Sequence, residues 1–344
     1  MTSLRAIRTR IKSVENTRQI TKSMKMVAAA KLRRTQGAFA TLRAFAEECG
    51  SLLREASAAD ALTAENPYLL EHNSRRKVCY VLLVGNRGLC GTYNQALLRY
   101  CEKLVKERTV DRSETEAGEK TVPSSGSDSE RIPDRAAESS EGTAETPEIS
   151  LLVCGRWGKD QIAASGIPVR ETLDIGDTPG REEALAFTEK LKQLYRDGEA
   201  DEVVLVYQQY QSVLSQSPGS RTLLPLQIQN GGDGADKEGG RRTGSETETV
   251  PVKTEFIFEP NRESIVNALL DMYLTNTVHA VLLEARTGEH SARMTAMTAA
   301  SDNTEELISK LTLELNHARQ AAITTEITEI ASGAEALRNS QAGG

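Results

Sequence analysis

Aromatic residues are scarce in this 344-residue chain, at 4% of the total with a single tryptophan. A large globular core is normally richer in them, so the composition points toward helical rods built of Ala, Leu, Glu, Lys and Arg. Cysteine occurs only as Cys49, Cys79, Cys90, Cys101 and Cys154, with no CxxC pair. An odd number without a framework excludes a disulfide scaffold and is read as reduced thiols in a cytoplasmic setting. No run of about 18 apolar residues occurs, which excludes a membrane-spanning helix. The N-terminus also lacks the apolar core of a signal peptide, and although it is Arg-rich and acid-poor, its regular apolar stripe marks mature structure rather than a transit peptide. His72, His279, His290 and His317 are scattered, without HExxH or EF-hand spacing, so the likeliest metal motifs are missing. No GxSxG elbow marks a nucleophile.

Glycine and proline are absent from residues 2–36 and 289–332, while the chain between is punctuated by both. Each end carries apolar residues in steps of three and four, which line up on one face of a helix. At the N-terminus these are Leu4, Ile7, Ile11 and Val14, resuming at Ala28 and Leu32. At the C-terminus they are Ile308, Leu311, Leu315 and Ala318, then Ile323, Ile327, Ile330, Ala334 and Leu337 after a one-residue shift. At about 1.5 Å per residue each helix runs roughly 60–70 Å. Two such stripes at opposite ends of one chain satisfy each other by antiparallel pairing. In the middle of the N-terminal stripe Arg18, Thr21 and Lys25 hold seam positions. Polar residues there cost a coiled coil stability; the stretch is either solvated, with a local loss of register, or it faces a third surface.

Between the ends lies an α/β pattern. Val78–Val84 is a continuous apolar run of buried-strand type, followed by the glycine turn Gly85–Gly91 and a helix over about 92–106. Further strands are expected at Ile149–Cys154 and Glu202–Tyr207, with helices near 159–165 and 181–196. The segment 208–216 is expected to pair with Leu223–Ile228, and Phe256–Pro260 leads into a helix near 262–284. This alternation predicts a small open α/β sheet, Rossmann-like in class, inserted between the paired helices. The predicted domains are 1–60, 75–284 and 285–338. Two inserts, about 109–148 and 229–250, are rich in Ser, Thr, Glu and Gly and too poor in apolar residues to bury a core. The glycines Gly85, Gly88 and Gly91 match neither GxGxxG nor GxxxxGK[ST], and a tight strand-to-helix turn accounts for them. Asp174 and Asp177 are explained by a turn in the same way.

The formal net charge is −7, yet residues 1–44 hold eleven Lys or Arg against one acid, Glu15. A basic arm on an acidic protein calls for an acidic partner. A nucleic-acid-binding arm is the alternative reading, although no aromatic residue precedes Phe39 to stack on bases.

Particular segments resemble the gamma subunit of F-type ATP synthases. These are Leu4–Thr17, Ile20–Leu32, the turn Gly88–Asn94, Ala292–Met297 and Asn316–Glu326, in that family's order. The resemblance implies a non-catalytic central shaft, without cofactor or metal of its own. Its antiparallel coiled coil would sit inside a ring of three alpha and three beta subunits, and its α/β domain on the c ring beside epsilon. Ion flow would turn it at the cytoplasmic face of a bacterial membrane, to which it is peripheral. It also implies that Met24, Lys25, Arg293, Arg319, Gln320, Thr324 and Glu326 lie where the shaft meets beta or couples its two helices. Chloroplast members carry a cysteine pair in a regulatory insert, whereas neither insert here contains cysteine. Excision of 109–148 is therefore expected to leave assembly and ATP hydrolysis nearly unchanged; a severalfold loss of either would refute a passive insert.

Overall fold

The computed structural model describes residues 4–57, 66–70, 72, 77–118, 148–226, 259 and 261–342. In chain order its elements are α1 (Leu4–Ser57), β1 (Lys77–Leu83), α2 (Tyr93–Gly118), β2 (Glu148–Cys154), α3 (Lys159–Ala164), β3 (Val169–Leu173), α4 (Arg181–Arg196), β4 (Glu202–Tyr210), β5 (Gln216–Leu224) and α5 (Arg262–Ala342). The helix expected near 262–284 and the C-terminal helix are one unbroken helix of 81 residues. By packing the chain divides into two units. One holds residues 1–32, 89–91 and 289–344, and the other holds 33–88 and 92–288.

The second unit is built on a five-stranded sheet ordered β3-β2-β1-β4-β5. Central β1 pairs in parallel with β2 and β4, setting Val81 beside both Leu152 and Leu205. Its apolar run is continuous because both faces are covered. Leu82, Leu151, Leu152 and Leu205 are 0–1% exposed, each stabilising the fold by about 1.5–3 kcal/mol relative to an exposed side chain. Helix α2 packs on β1, β4 and β5. One core joins Val81, Leu152 and Leu205 to Phe187 and Leu191 of α4 and to Leu274, Val278 and Leu282 of α5. Helix α4 starts where Glu183 accepts hydrogen bonds from the backbone N–H groups of Gly176 and Gly180, satisfying donors a helix start leaves open.

Helices α1 and α5 run antiparallel in this unit. Leu53 packs with Val266 and Leu270, whereas Phe39, nearer the start of α1, packs with Leu283, nearer the end of α5. Gly50 permits a close approach, since a Cβ there would lie 2.9 Å from the Tyr273 ring.

The structure corrects two expectations and adds a strand. Strand β4 continues to Tyr210 and turns at once into β5, so 208–210 pair antiparallel with 216–218 and the expected 208–216 partner of Leu223–Ile228 does not form. Val169 opens an edge strand, β3, that carries no apolar run to betray it. Helix α2 reaches Gly118, so the presumed insert begins as helix and ends where Glu148 enters β2. Residues 227–258 with the second insert, and most of Phe256–Pro260, lie outside the described residues. Excision of 119–147, which spares α2 and β2, is accordingly the cleaner form of the insert test.

Candidate functional site

In the unit formed by the chain ends, α1 presents a seam at Leu4, Ile7, Ile11, Val14, Arg18, Thr21, Lys25, Ala28 and Leu32, a regular alternation of three and four. That is the heptad pattern of a two-helix seam. The seam does not fail at its polar positions. Thr21 is 8% exposed, and its hydroxyl donates back to the Arg18 carbonyl at 3.0 Å, so a short polar side chain is buried without an orphaned donor. Lys25 is half-buried, while Arg18 remains exposed and reaches Glu305 at 3.7 Å. The expectation that Arg18, Thr21 and Lys25 jointly face a third surface is thus corrected for Thr21. The Arg18–Glu305 pair is solvated and contributes about 0–1 kcal/mol; its place shows which residues of the two helices lie level. Along α5 the matching seam runs through Met297 and Leu311, both buried, and half-buried Ile308, Leu315 and Ala318.

Burial on α5 stops at Ala318. Every residue from Arg319 to Ala334 is exposed, because the antiparallel register brings the start of α1 level with Ala318. Ile323, Ile327 and Ile330, expected to share the seam, are 48%, 61% and 67% exposed. The one-residue shift of the stripe falls in this bare stretch. A second exposed apolar group, Ile20, Met26 and Val27, lies on α1 off the seam. Scattered exposed apolar residues need no explanation, but regularly spaced ones mark interaction surfaces.

The residues singled out by resemblance divide between two regions of this unit. Met24 and Lys25 are half-buried on α1. The Arg293 guanidinium donates to Glu289 at 2.7 Å, both side chains being nearly buried. Arg319, Gln320, Thr324 and Glu326 are fully exposed on the overhang, with the Thr324 hydroxyl turned back onto the Gln320 carbonyl. Arg293 and Arg319 are about 39 Å apart along the helix at 1.5 Å per residue, so these residues do not form one site. Sequence reasoning missed Ile20, Met26 and Val27; their placement off the seam spacing was the available signal.

In the sheet unit the place to look for a ligand is the crevice beyond the carboxyl end of β1, where the strand order changes direction. Here it is filled from within. The Asn94 side chain accepts from the Gly85 N–H at 2.8 Å, closing the glycine turn, and Arg286 of α5 lies against the loop ends. The space left beside Arg286 and Ile175 is about 10 Å³, room for one water at most. A larger groove of about 1000 Å³ is lined by Arg43, Glu47, Tyr207, Arg221, Tyr273 and Glu284 among others. Its charges largely answer one another: Arg43 donates to Glu47 at 2.8 Å and Arg221 to the Tyr273 hydroxyl at 3.2 Å. Burial raises the Glu284 carboxyl above its ordinary value, opposed by the Tyr210 N–H it accepts and by Arg43 and Arg221. Burial likewise pushes the Tyr207 phenol up to about 12. The buried thiols of Cys49, Cys79, Cys101 and Cys154 are all raised by desolvation, Cys101 to about 12, which makes them poor nucleophiles. Among the described residues no group of His, Cys, Asp and Glu is placed to hold a metal, and no helix is long and apolar enough to cross a membrane.

The family model described as ATP synthase matches residues 3–130 and 124–337. An ATP synthase gamma chain from Halothermothrix orenii is 36% identical over 339 residues, covering 98% of this chain and 100% of its own. The chain belongs to the ATP synthase gamma-chain family. Another gamma chain, from Desulfitobacterium hafniense, is also 36% identical, over 98% of this chain and 100% of its own. In fold the chain is similar to one in the Euglena gracilis mitochondrial ATP synthase, in a structure of its OSCP, F1 and c-ring parts, with a TM-score of 0.58 at 18% identity over 98% of this chain and 95% of that one. The nucleic-acid alternative finds no support in these relatives.

The two kinds of apolar position on α5 are expected to behave differently. Leu311→Ala removes a buried seam residue and should lower the unfolding free energy of the isolated chain by about 2–4 kcal/mol. Ile327→Ala, on the bare overhang, should change it by less than about 0.5 kcal/mol. Urea denaturation measures both, and equal losses would show that the overhang is packed.

Proposed function

We propose that this chain is the central rotor shaft of an ATP synthase. In this reading it couples ion-driven rotation of a c ring to ATP synthesis or hydrolysis at catalytic sites carried by alpha and beta subunits. The observation that carries this reading is the bare end of α5. An apolar helix surface bearing Ile323, Ile327 and Ile330 extends past its partner helix, and an exposed apolar surface of this kind marks a site for a partner. A ring of three alpha and three beta subunits is the sleeve that surrounds it.

The chain makes no covalent chemistry of its own. Its role is to present an asymmetric surface, so that turning it changes which beta subunit meets which face. Arg319, Gln320, Thr324 and Glu326 offer hydrogen-bonding groups to the ring at the overhang. Met24, Lys25 and the Arg293–Glu289 pair serve a second contact region further along the coil. The basic stretch of α1 would steer this end toward acidic loops of the ring, since opposite charge governs register and encounter more than final affinity. The α/β domain, residues 75–284, would stand on the c ring beside epsilon, and residues 1–60 and 285–338 would form the shaft. The complex would hold one copy, peripheral to the membrane at its cytoplasmic face in a bacterium.

Co-expression with cognate alpha and beta subunits, followed by gel filtration and an ATPase assay, tests this directly. The expected peak contains alpha, beta and this chain at 3:3:1 and hydrolyses ATP only when all three are present. Elution of the chain alone, with alpha and beta left unassembled, would overturn the proposal.

A further inference from the structure

Torque can pass between the α/β unit and the coil only if α5 cannot turn about its own axis where it leaves the sheet. Most of its grip there is apolar: Leu274, Val278, Val281, Leu282 and Ala285 are buried against the sheet core. Single polar contacts join α5 to the sheet unit at Asp271 with Lys192, Tyr273 with Arg221, His279 with the Pro179 carbonyl and Glu284 with the Tyr210 N–H. At the turn of Arg286 several directional bonds converge on one side chain.

Arg286 is 4% exposed. Its Nε donates to the Gly176 carbonyl at 3.1 Å and one terminal nitrogen to the Ile175 carbonyl at 2.8 Å. The same nitrogen reaches Asn86 Oδ1 at 3.3 Å, and the other lies 3.4 Å from the Val84 carbonyl. These acceptors belong to two loops, one after β1 and one after β3, which Asn86 ties together by donating to Ile175 at 2.8 Å. A guanidinium is a rigid planar fork, so bonds from several of its edges fix orientation as well as position. On an adjacent side, the buried Tyr93 hydroxyl donates to the Ala285 carbonyl at 2.8 Å. At Gly288 a Cβ would come within 3.3 Å of both Tyr93 and Gln216, so the helix passes through a close collar. Glu289, the next residue, belongs to the other unit.

We propose that Arg286 is a torque key: the positioning residue that locks the axial orientation of α5 to the sheet at the last turn before the helix leaves it. This rests on the shaft reading above. Neither the glycine turn nor the crevice it borders then serves a ligand; the crevice is the socket for this side chain. Loss of the fork would leave α5 helical and packed but free to twist over a wider angle.

The test is angular stiffness in the assembled complex. A bead is attached to the α/β unit through Ala164→Cys, an exposed position on α3, with the alpha and beta ring fixed to a surface. The width of the bead's angular fluctuation at a catalytic pause reports the compliance of the shaft. Arg286→Met keeps the apolar stem and removes the hydrogen bonds of the guanidinium, leaving the Tyr93–Ala285 bond in place. The angular variance should rise by about twofold if these charge-assisted bonds supply half of the restoring force. Unloaded ATPase activity should stay near wild type, and the variance of Arg286→Lys should lie between; a lower melting temperature is expected from the acceptors left unpaired and does not bear on the key. Unchanged variance in an assembled Arg286→Met complex overturns the key. Should that variant fail to assemble, Asn86→Ala removes one acceptor and the link between loops. It should raise the variance by a smaller amount, and no rise would overturn the proposal equally. A wild-type chain that neither assembles nor turns is a failure of the shaft reading, which these variants keep separate from a failure of the key.

Discussion

An 81-residue helix cannot bury its own apolar stripe. Isolated helices are marginal in water, and most of their stability comes from packing an amphipathic face. Everything else in this protein follows from how α5 meets that requirement. Its first part lies on a mixed sheet, its middle part against the seam of α1, and residues 319–334 on nothing among the described residues. The three modes of burial follow one another along a single element, and the third is what implies a partner.

The seam shows how little apolar surface a paired helix needs if its spacing is regular. Thr21 and Thr35 are buried at seam positions, and the Thr21 hydroxyl is satisfied by the helix backbone itself. Small polar residues keep the register while contributing little free energy. A pair of helices held this way is slender and only moderately stabilised along its length.

Much of this was legible in the sequence because its signals were long and periodic. The glycine- and proline-free ends marked α1 and α5, and the unbroken apolar run at Val78–Val84 marked a strand covered on both faces. The bounds of α4 were read directly from its start at Arg181 and its amphipathic spacing. What escaped was short or non-local. β3 has alternating polar residues and lies at an edge, and the turn between β4 and β5 depends on pairing rather than composition. The seam spacing included Thr21, but its burial there was hidden because threonine is ordinary on a helix surface. The bareness of Ile323, Ile327 and Ile330 could not be read from their spacing, which is the same whether or not a partner helix extends far enough to cover them. Arg286 gave no signal at all, since its acceptors are three backbone carbonyls and the Asn86 side chain, all far away in the chain.

A rotor shaft is a moving part, and motion is therefore the decisive observable. The measurement is single-molecule rotation of a bead fixed to the α/β unit while the cognate alpha and beta ring, assembled with this chain, is held on glass and supplied with ATP. Unidirectional rotation pausing at three equally spaced angles per turn is the predicted result. An assembled ring that hydrolyses ATP while the bead only fluctuates about one angle would contradict it.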